Sequence, residues 1–202
     1  MALDNYADLS ASISGWLHRS DLSSNIPDFI TLADSRINND LRVRQMETTQ
    51  PSVMAAGVIA VPSNYIEMKD AYISSTSPYV SLSRKTANWI YDAYPNRIAD
   101  ATPKFIGRDG PNFIFGPFPD SNYTVTMTYY NRFPLLVNAI NTLFTSYPGL
   151  WLFGALVEAA PFLKDDSRVA VWEMKYKQLM KMVQDESDCE YLSGAVPEVT
   201  AL

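Results

Sequence analysis

The sequence is poor in the residues that carry most enzyme chemistry. It holds one cysteine, Cys189, and one histidine, His18, in 202 residues. A single cysteine forms no internal disulfide and completes no cysteine-based zinc site. A single histidine leaves little room for histidine-dependent catalysis. The chain also lacks a basic excess: the net charge is -6 and the pI is near 4.7. That balance argues against an adhesive nucleic-acid surface on average, although a local basic patch is compatible with it. No GxGxxG, Walker, GxSxG, HExxH or CxxC pattern occurs, and no internal repeat emerges. Gly107-Arg-Asp-Gly110 reads as a hairpin turn rather than a phosphate loop. The N-terminal Met-Ala-Leu-Asp-Asn has no basic region and no apolar core, so a reducing cytoplasm is the expected site of synthesis.

What is present is a chain of ordinary globular composition, 47% hydrophobic and 19% charged, with twelve tyrosines. Its most apolar stretch runs from Leu150 to Leu163, and nearly every residue in it is apolar or small. A helix of that composition has no solvated face, so it is expected to be the buried hub of a bundle. It is too short to cross a bilayer, and Glu158 lies within it.

Helical spacing on either side of this hub supplies its partners. Tyr6, Leu9, Ile13, Trp16 and Leu17 make one helical face, with Asp4 as N-cap and an end near His18-Arg19. A second helix is expected from Asn25, with Pro27 in its first turn and Asp28 closing a capping box, to about Arg44. After the hub, Val169, Trp172, Tyr176, Leu179, Met180 and Val183 mark a last long helix that Asp165 or Asp166 caps. The pattern stops at Gln184, and an acidic, patternless tail follows.

Between the helix pairs the character changes. Residues 48–73 carry short β-branched runs broken by Pro51, Gly57 and Pro62, read as strands. Leu82–Tyr94 is a short helical segment whose Trp89, Ile90 and Tyr94 dock on a sheet. Lys104–Phe115 is a hairpin turning at Arg108–Asn112. Tyr123–Tyr130 alternates strictly and is the clearest strand; residues 135–147 form a linker with one helical turn. The fold class is α+β. Residues 1–47 and 148–185 give two helix pairs of one bundle, 48–147 an inserted antiparallel β-rich subdomain, and 186–202 an extended tail.

Candidate chemistry is thin. Glu158 is a carboxylate in an apolar helix, where burial can tune an acid, but pairing with an arginine or lysine of another helix is the simpler account. Asp165 and Asp166 read as caps before metal ligands, and His18 as a charge at a helix end. Cys189, in acidic surroundings, is not a reactive thiolate. Arg36, Arg42 and Arg44 make a modest basic face on the second helix, facing DNA, solvent or a neighbouring subunit. Met174, Met180 and Met182 are expected as core filler.

Tyr6–Leu22, Ile26–Arg44, Leu150–Asp166 and the alternating strand Tyr123–Tyr130 together resemble bacteriophage head-to-tail adaptor proteins, the connector or head-completion rings of tailed phages. The resemblance implies a structural virion protein of the neck, assembled in the host cytoplasm, with no enzymatic activity and no cofactor. It implies a ring of copies, dodecameric, bound to the portal protein on one side and to the tail nozzle or tail tube on the other. Genomic DNA would pass through the lumen without specific binding, and no membrane is involved. The portal or subunit interface would draw on Glu158, Asp185, Glu186, Tyr191, Leu192, Val196 and Leu202, and the C-terminal extension would reach onto the portal. Another neck or tail-completion ring, or a virion-associated hydrolase using Glu158 or the Asp165-Asp166 pair, are the alternatives.

Overall fold

The computed structural model describes residues 3–19, 21–95, 100–163 and 167–192. The chain divides into two compact units, one of residues 1–46 with 133–202 and one of residues 47–132. The first is helical: α1 (Tyr6–Leu17), α2 (Ile26–Asp40), α4 (Thr142–Ser146), α5 (Pro148–Glu158), α6 (Ala160–Leu163) and α7 (Val169–Leu192). The second holds β1 (Glu47–Val53), β2 (Val58–Ala60), β3 (Tyr65–Ile73), β4 (Val80–Ser81), β5 (Ser83–Arg84), α3 (Ala87–Ala93), β6 (Phe105–Asp109), β7 (Asn112–Gly116) and β8 (Thr124–Asn131).

Helix α5 is the hub of the helical unit. It touches α1, α2, α4, α6 and α7, and Leu150, Trp151, Leu152, Gly154, Ala155 and Leu156 are all buried. Gly154 sets how closely these helices approach: a Cβ there would lie 3.2 Å from the Cβ of Ala33 on α2 and 3.3 Å from the Tyr176 ring on α7. The apolar run is not one helix, however. It breaks at Ala159, because Pro161 has no N–H to give to Val157 and its ring excludes that carbonyl. The short α6 that follows buries no residue, although Phe162 packs edge-on to Phe29 at 5.1 Å.

Several ends differ from expectation. Asn5, not Asp4, caps α1, its Oδ1 accepting from the Asp8 N–H at 2.9 Å. Asn25 precedes α2 in a helical conformation and makes no side-chain cap; the Asn25 and Ile26 N–H groups bond to the Leu22 carbonyl, so the preceding turn supplies the helix start. Helix α2 stops at Asp40, short of Arg44. Leu41 is extended, and Leu41 and Val43 alternate into the core with Arg42 between them. At the other end, α7 continues to Leu192, past the tail boundary expected near residue 185. Its inward face runs through Trp172, Tyr176 and Val183 and then turns polar. Gln184 bonds in both directions to the Arg42 backbone (3.5 and 3.3 Å), and buried Ser187 accepts from the Arg44 N–H at 3.1 Å. A hydrophobic pattern alone cannot register a helix held by side-chain bonds to a neighbouring backbone. The linker expected in the β-rich segment also falls elsewhere. Residues 133–147 belong to the helical unit, where Leu136, Leu143 and Phe144 are buried.

The β unit is two four-stranded sheets, β1-β8-β3-β4 and β2-β7-β6-β5, antiparallel except for the short parallel β5–β6 pair. Both contribute to one core, with Met68, Ile73, Val125, Met127 and Tyr129 from the first and Ile59, Ile106, Phe113 and Phe115 from the second. The expected alternation of β8 places Val125, Met127 and Tyr129 inward, and the strand pairs on both sides. The β6–β7 hairpin turns through Gly110-Pro111, where φ of +55° at Gly110 favours glycine. Helix α3 begins at Ala87 rather than near Leu82, since β4 and β5 occupy the residues before it. It docks through Ile90 and Tyr94, and Gly107 and Gly116 leave the room: a Cβ on either would come within 2.9 Å of those side chains.

Filling the α5 contact should break the helical unit. Gly154→Leu is expected to cost about 3 kcal/mol or more through overpacking between α2 and α7, read as a lower urea midpoint by circular dichroism at the helix band. Gly154→Ala should cost less, because its gain in helix propensity of about 1 kcal/mol offsets the tight contact.

Candidate functional site

The buried polar groups of the helical unit form a site that residue type, read alone, assigns to solvent. Asp34 and Asn38 stand one turn apart on α2, and both are buried, Asp34 to 3% exposure. Asp34 Oδ1 accepts from the indole Nε1–H of Trp151 on α5 at 2.6 Å, and its Oδ2 from the Leu136 N–H at 3.0 Å. Asn38 Oδ1 accepts from the Phe133 N–H at 2.8 Å, and its Nδ2 donates to the Asp34 carbonyl at 2.9 Å. Two side chains of one helix therefore fix the backbone of the 133–136 segment and the orientation of the hub. Burial pushes the Asp34 carboxyl above its ordinary value, and the bonds from Trp151 and Leu136 oppose that rise. Both residues stand at the helical offsets of the buried face, in series with Ile26, Phe29, Ile30, Ala33 and Ile37, and only their polar character points to solvent. A second signal is Trp151 itself, an indole donor in an all-apolar helix that needs an acceptor.

The segment so clamped carries an exposed apolar surface. Leu135, Val137 and Ile140 are exposed, Val137 to 60%. They belong to an uninterrupted charge-free run from Phe133 to Val157. A second exposed apolar surface lies where α1, α5 and α7 meet. Trp16 is 46% exposed and stands edge-on to Phe153 at 5.6 Å, with Val171 exposed beside it. Met174 and Met182 are exposed as well, not core filler, because α7 turns them away from α5. Arg168 joins the start of α7 to the end of α1, donating to the Trp16 carbonyl at 3.1 Å with its guanidinium 5.0 Å above the Trp172 ring.

The residues singled out from sequence fall in several places. Glu158, at the end of α5, pairs with Arg36 of α2 at 3.1 Å; Arg36 also lies 3.9 Å from Asp40 and 4.7 Å above the Tyr176 ring. Arg36, Arg42 and Arg44 do not share one helix face, since only Arg36 is in α2. Arg42 caps the helix end, donating to the Asn38 and Asn39 carbonyls at 3.2 Å each, and Arg44 reaches Glu190 of α7 at 3.4 Å. Asp185 and Glu186 are exposed on α7, and Tyr147 donates to the Glu186 carboxylate. Tyr191 and Leu192 form the last turn of α7. Val196, Leu202, Asp165 and Asp166 lie outside the described residues. His18 is the C-cap of α1 at φ +51°, and Cys189 is exposed. Among the described residues no group of His, Cys, Asp and Glu side chains could hold a metal ion, and no helix is long and apolar enough to cross a membrane. A small cleft in the β unit, about 190 Å³, is lined by Arg84, Lys85 and Arg108 with Tyr65 and Glu67.

The site is thus one of contacts: fixed backbone, exposed aliphatic and aromatic side chains, and ion pairs between helices of one unit. It has the character of an assembly protein. The sequence model of the SU10 adaptor protein family matches residues 4–197, and the chain belongs to that family, which makes it a bacteriophage adaptor protein and a component of the virion. No curated protein matches the chain.

Removing the Asp34 carboxylate strands two buried donors. Asp34→Ala is expected to cost about 2–5 kcal/mol in urea unfolding, the range for a buried charged acceptor lost with its partners left behind. Because the folded carboxyl titrates above 3.8, the native state holds this proton after the unfolded chain has lost it. The Asp34 contribution is then full below that value and declines as pH rises through the folded one. Subtracting an Asp34→Asn stability profile from the parent profile should show that decline. The Tyr176 hydroxyl, buried and without a hydrogen-bond partner among the described residues, supplies the opposite case. Tyr176→Phe should leave the urea midpoint unchanged or raise it, since only an unpaired polar atom is lost.

Proposed function

We propose that copies of this adaptor close into a dodecameric ring at the head-to-tail junction. The portal protein lies on one side of the ring, the tail nozzle or tail tube on the other, and genomic DNA passes through the lumen. The observation that carries this reading is the exposed, charge-free loop of Leu135, Val137 and Ile140, pinned from beneath by Asp34 and Asn38. Monomers seldom specify an exposed aliphatic loop with buried polar bonds unless another surface covers it. Family membership supports the adaptor role. A net charge of -6 suits a conduit in which DNA slides, because few phosphates would be neutralised. Arg36, Arg42 and Arg44 engage carboxylates, carbonyls and α7 within the unit, which favours an internal packing role over DNA contact for them. Asp185, Glu186, Tyr191 and Leu192 lie in the last two turns of α7, from which a neighbouring subunit or the portal would be met.

Images of the virion neck test this reading, the expected result being a ring of this protein in register with the portal. Density for the chain elsewhere in the virion would overturn it. A pull-down that recovers tail-completion components without the portal would place the ring lower in the stack. Val137→Asp is expected to leave the folded chain within about 0.5 kcal/mol of its parent, as exposed substitutions do, while particles accumulate as heads without tails.

A further inference from the structure

We infer that the groove between α1, α5 and α7 receives the acidic, apolar segment 193–202 of a second copy of this chain. The groove has a volume of about 640 Å³. Trp16, Phe153, Val171 and Trp172 supply its apolar wall, and Arg168 and Lys175 its charge. The segment Ser193-Gly-Ala-Val-Pro-Glu-Val-Thr-Ala-Leu202 complements it in both respects. Val196, Val199 and Leu202 recur every third residue, the period of an extended polyproline-type helix, and Pro197 favours that backbone. They would present one apolar edge. Glu198 is the segment's only charged side chain, and no lysine or arginine follows Lys181, so charge attraction is directed at the basic rim.

Reach decides whose groove it is. The groove lies at the start of α7 and the segment leaves from its end. From Lys175 to Leu192 the helix rises about 26 Å. Seven residues from Leu192 to Val199, fully extended, span at most about 25 Å, and the four to Val196 about 14 Å. Val196 therefore falls well short of its own groove and Val199 reaches at most its rim, so all three can seat together only in another copy. Such a contact is head-to-tail, the kind that closes a ring. The inference deepens the ring reading and rests on it.

The test uses the full chain with a photo-crosslinking benzophenone side chain at Val199, mixed with an isotopically labelled copy and irradiated at high concentration. Cross-links from one copy to the Trp16 or Val171–Lys175 peptides of the other are expected, with a yield that falls as salt rises. Val171→Asp, at a position 52% exposed and so neutral for folding, should lower that yield about tenfold, equivalent to 1.4 kcal/mol of contact. Cross-links confined to one copy, cross-links to another surface, or none at any concentration would overturn the inference. If neck images show the ring while the cross-links go elsewhere, this inference fails alone; cross-links to the groove without a neck ring would sink the ring reading instead.

Discussion

The helical unit depends on one buried carboxylate. Among the described residues Asp34 pairs with no cation; its anion is held by two N–H groups, the Trp151 indole and the Leu136 backbone. That is a costly arrangement, since burying the charge raises the free energy of the folded state and each bond recovers only part of it. What the arrangement secures is position. Trp151 cannot rotate on α5 without abandoning its acceptor, and the chain leaving the β unit cannot shift without losing the Leu136 bond. Asn38, one turn on, repeats the constraint at Phe133. An apolar core would have held these elements together with less specificity about where the 133–136 backbone runs.

The same device recurs at the far end of the unit. Gln184 and Ser187 on α7 bond the backbone of Arg42 and Arg44, where α2 has given way to a short extended stretch and a 3-10 turn. Both regions join elements that are distant in sequence, and both do so through side chain to backbone bonds. In each case the irregular chain has no secondary-structure partner for its own amides, and a helix supplies the acceptors. The helices are thereby used twice, once through their apolar faces around α5 and once as scaffolds for non-helical backbone.

This explains which parts of the molecule are legible in the sequence. The hub, the flanking helices, the β6–β7 hairpin and the alternation of β8 follow from apolar period and turn chemistry, because burial of apolar surface decides them. Glu158 finds an arginine on another helix, which composition alone makes the simplest outcome for a carboxylate in an apolar stretch. The end of α2 and the length of α7 do not follow, because hydrogen bonds to backbone decide them; the burial of Asp34 and Asn38 is written in their helical offsets but obscured by their residue type. A polar residue looks the same in a sequence whether it meets water or a buried amide. Trp151 is the informative exception: an indole donor inside an apolar helix demands an acceptor, and the demand points to a polar residue hidden on a neighbouring helix.

Fixing backbone with buried polar groups has a consequence for assembly. A loop such as Leu135–Ile140, exposed and without charge, would be free to collapse onto its own unit if only apolar contacts held it. Tied at both Phe133 and Leu136, it stays displayed, and a second surface that covers it orders little in doing so. The residues after Leu192 would bring three apolar side chains and one carboxylate to a neighbour's groove. A ring built from both kinds of contact combines a rigid surface that sets geometry with a reaching segment that links neighbours. The rigid surface limits the angles at which copies meet, and the segment raises the effective concentration of each neighbour, so closure is favoured over open chains.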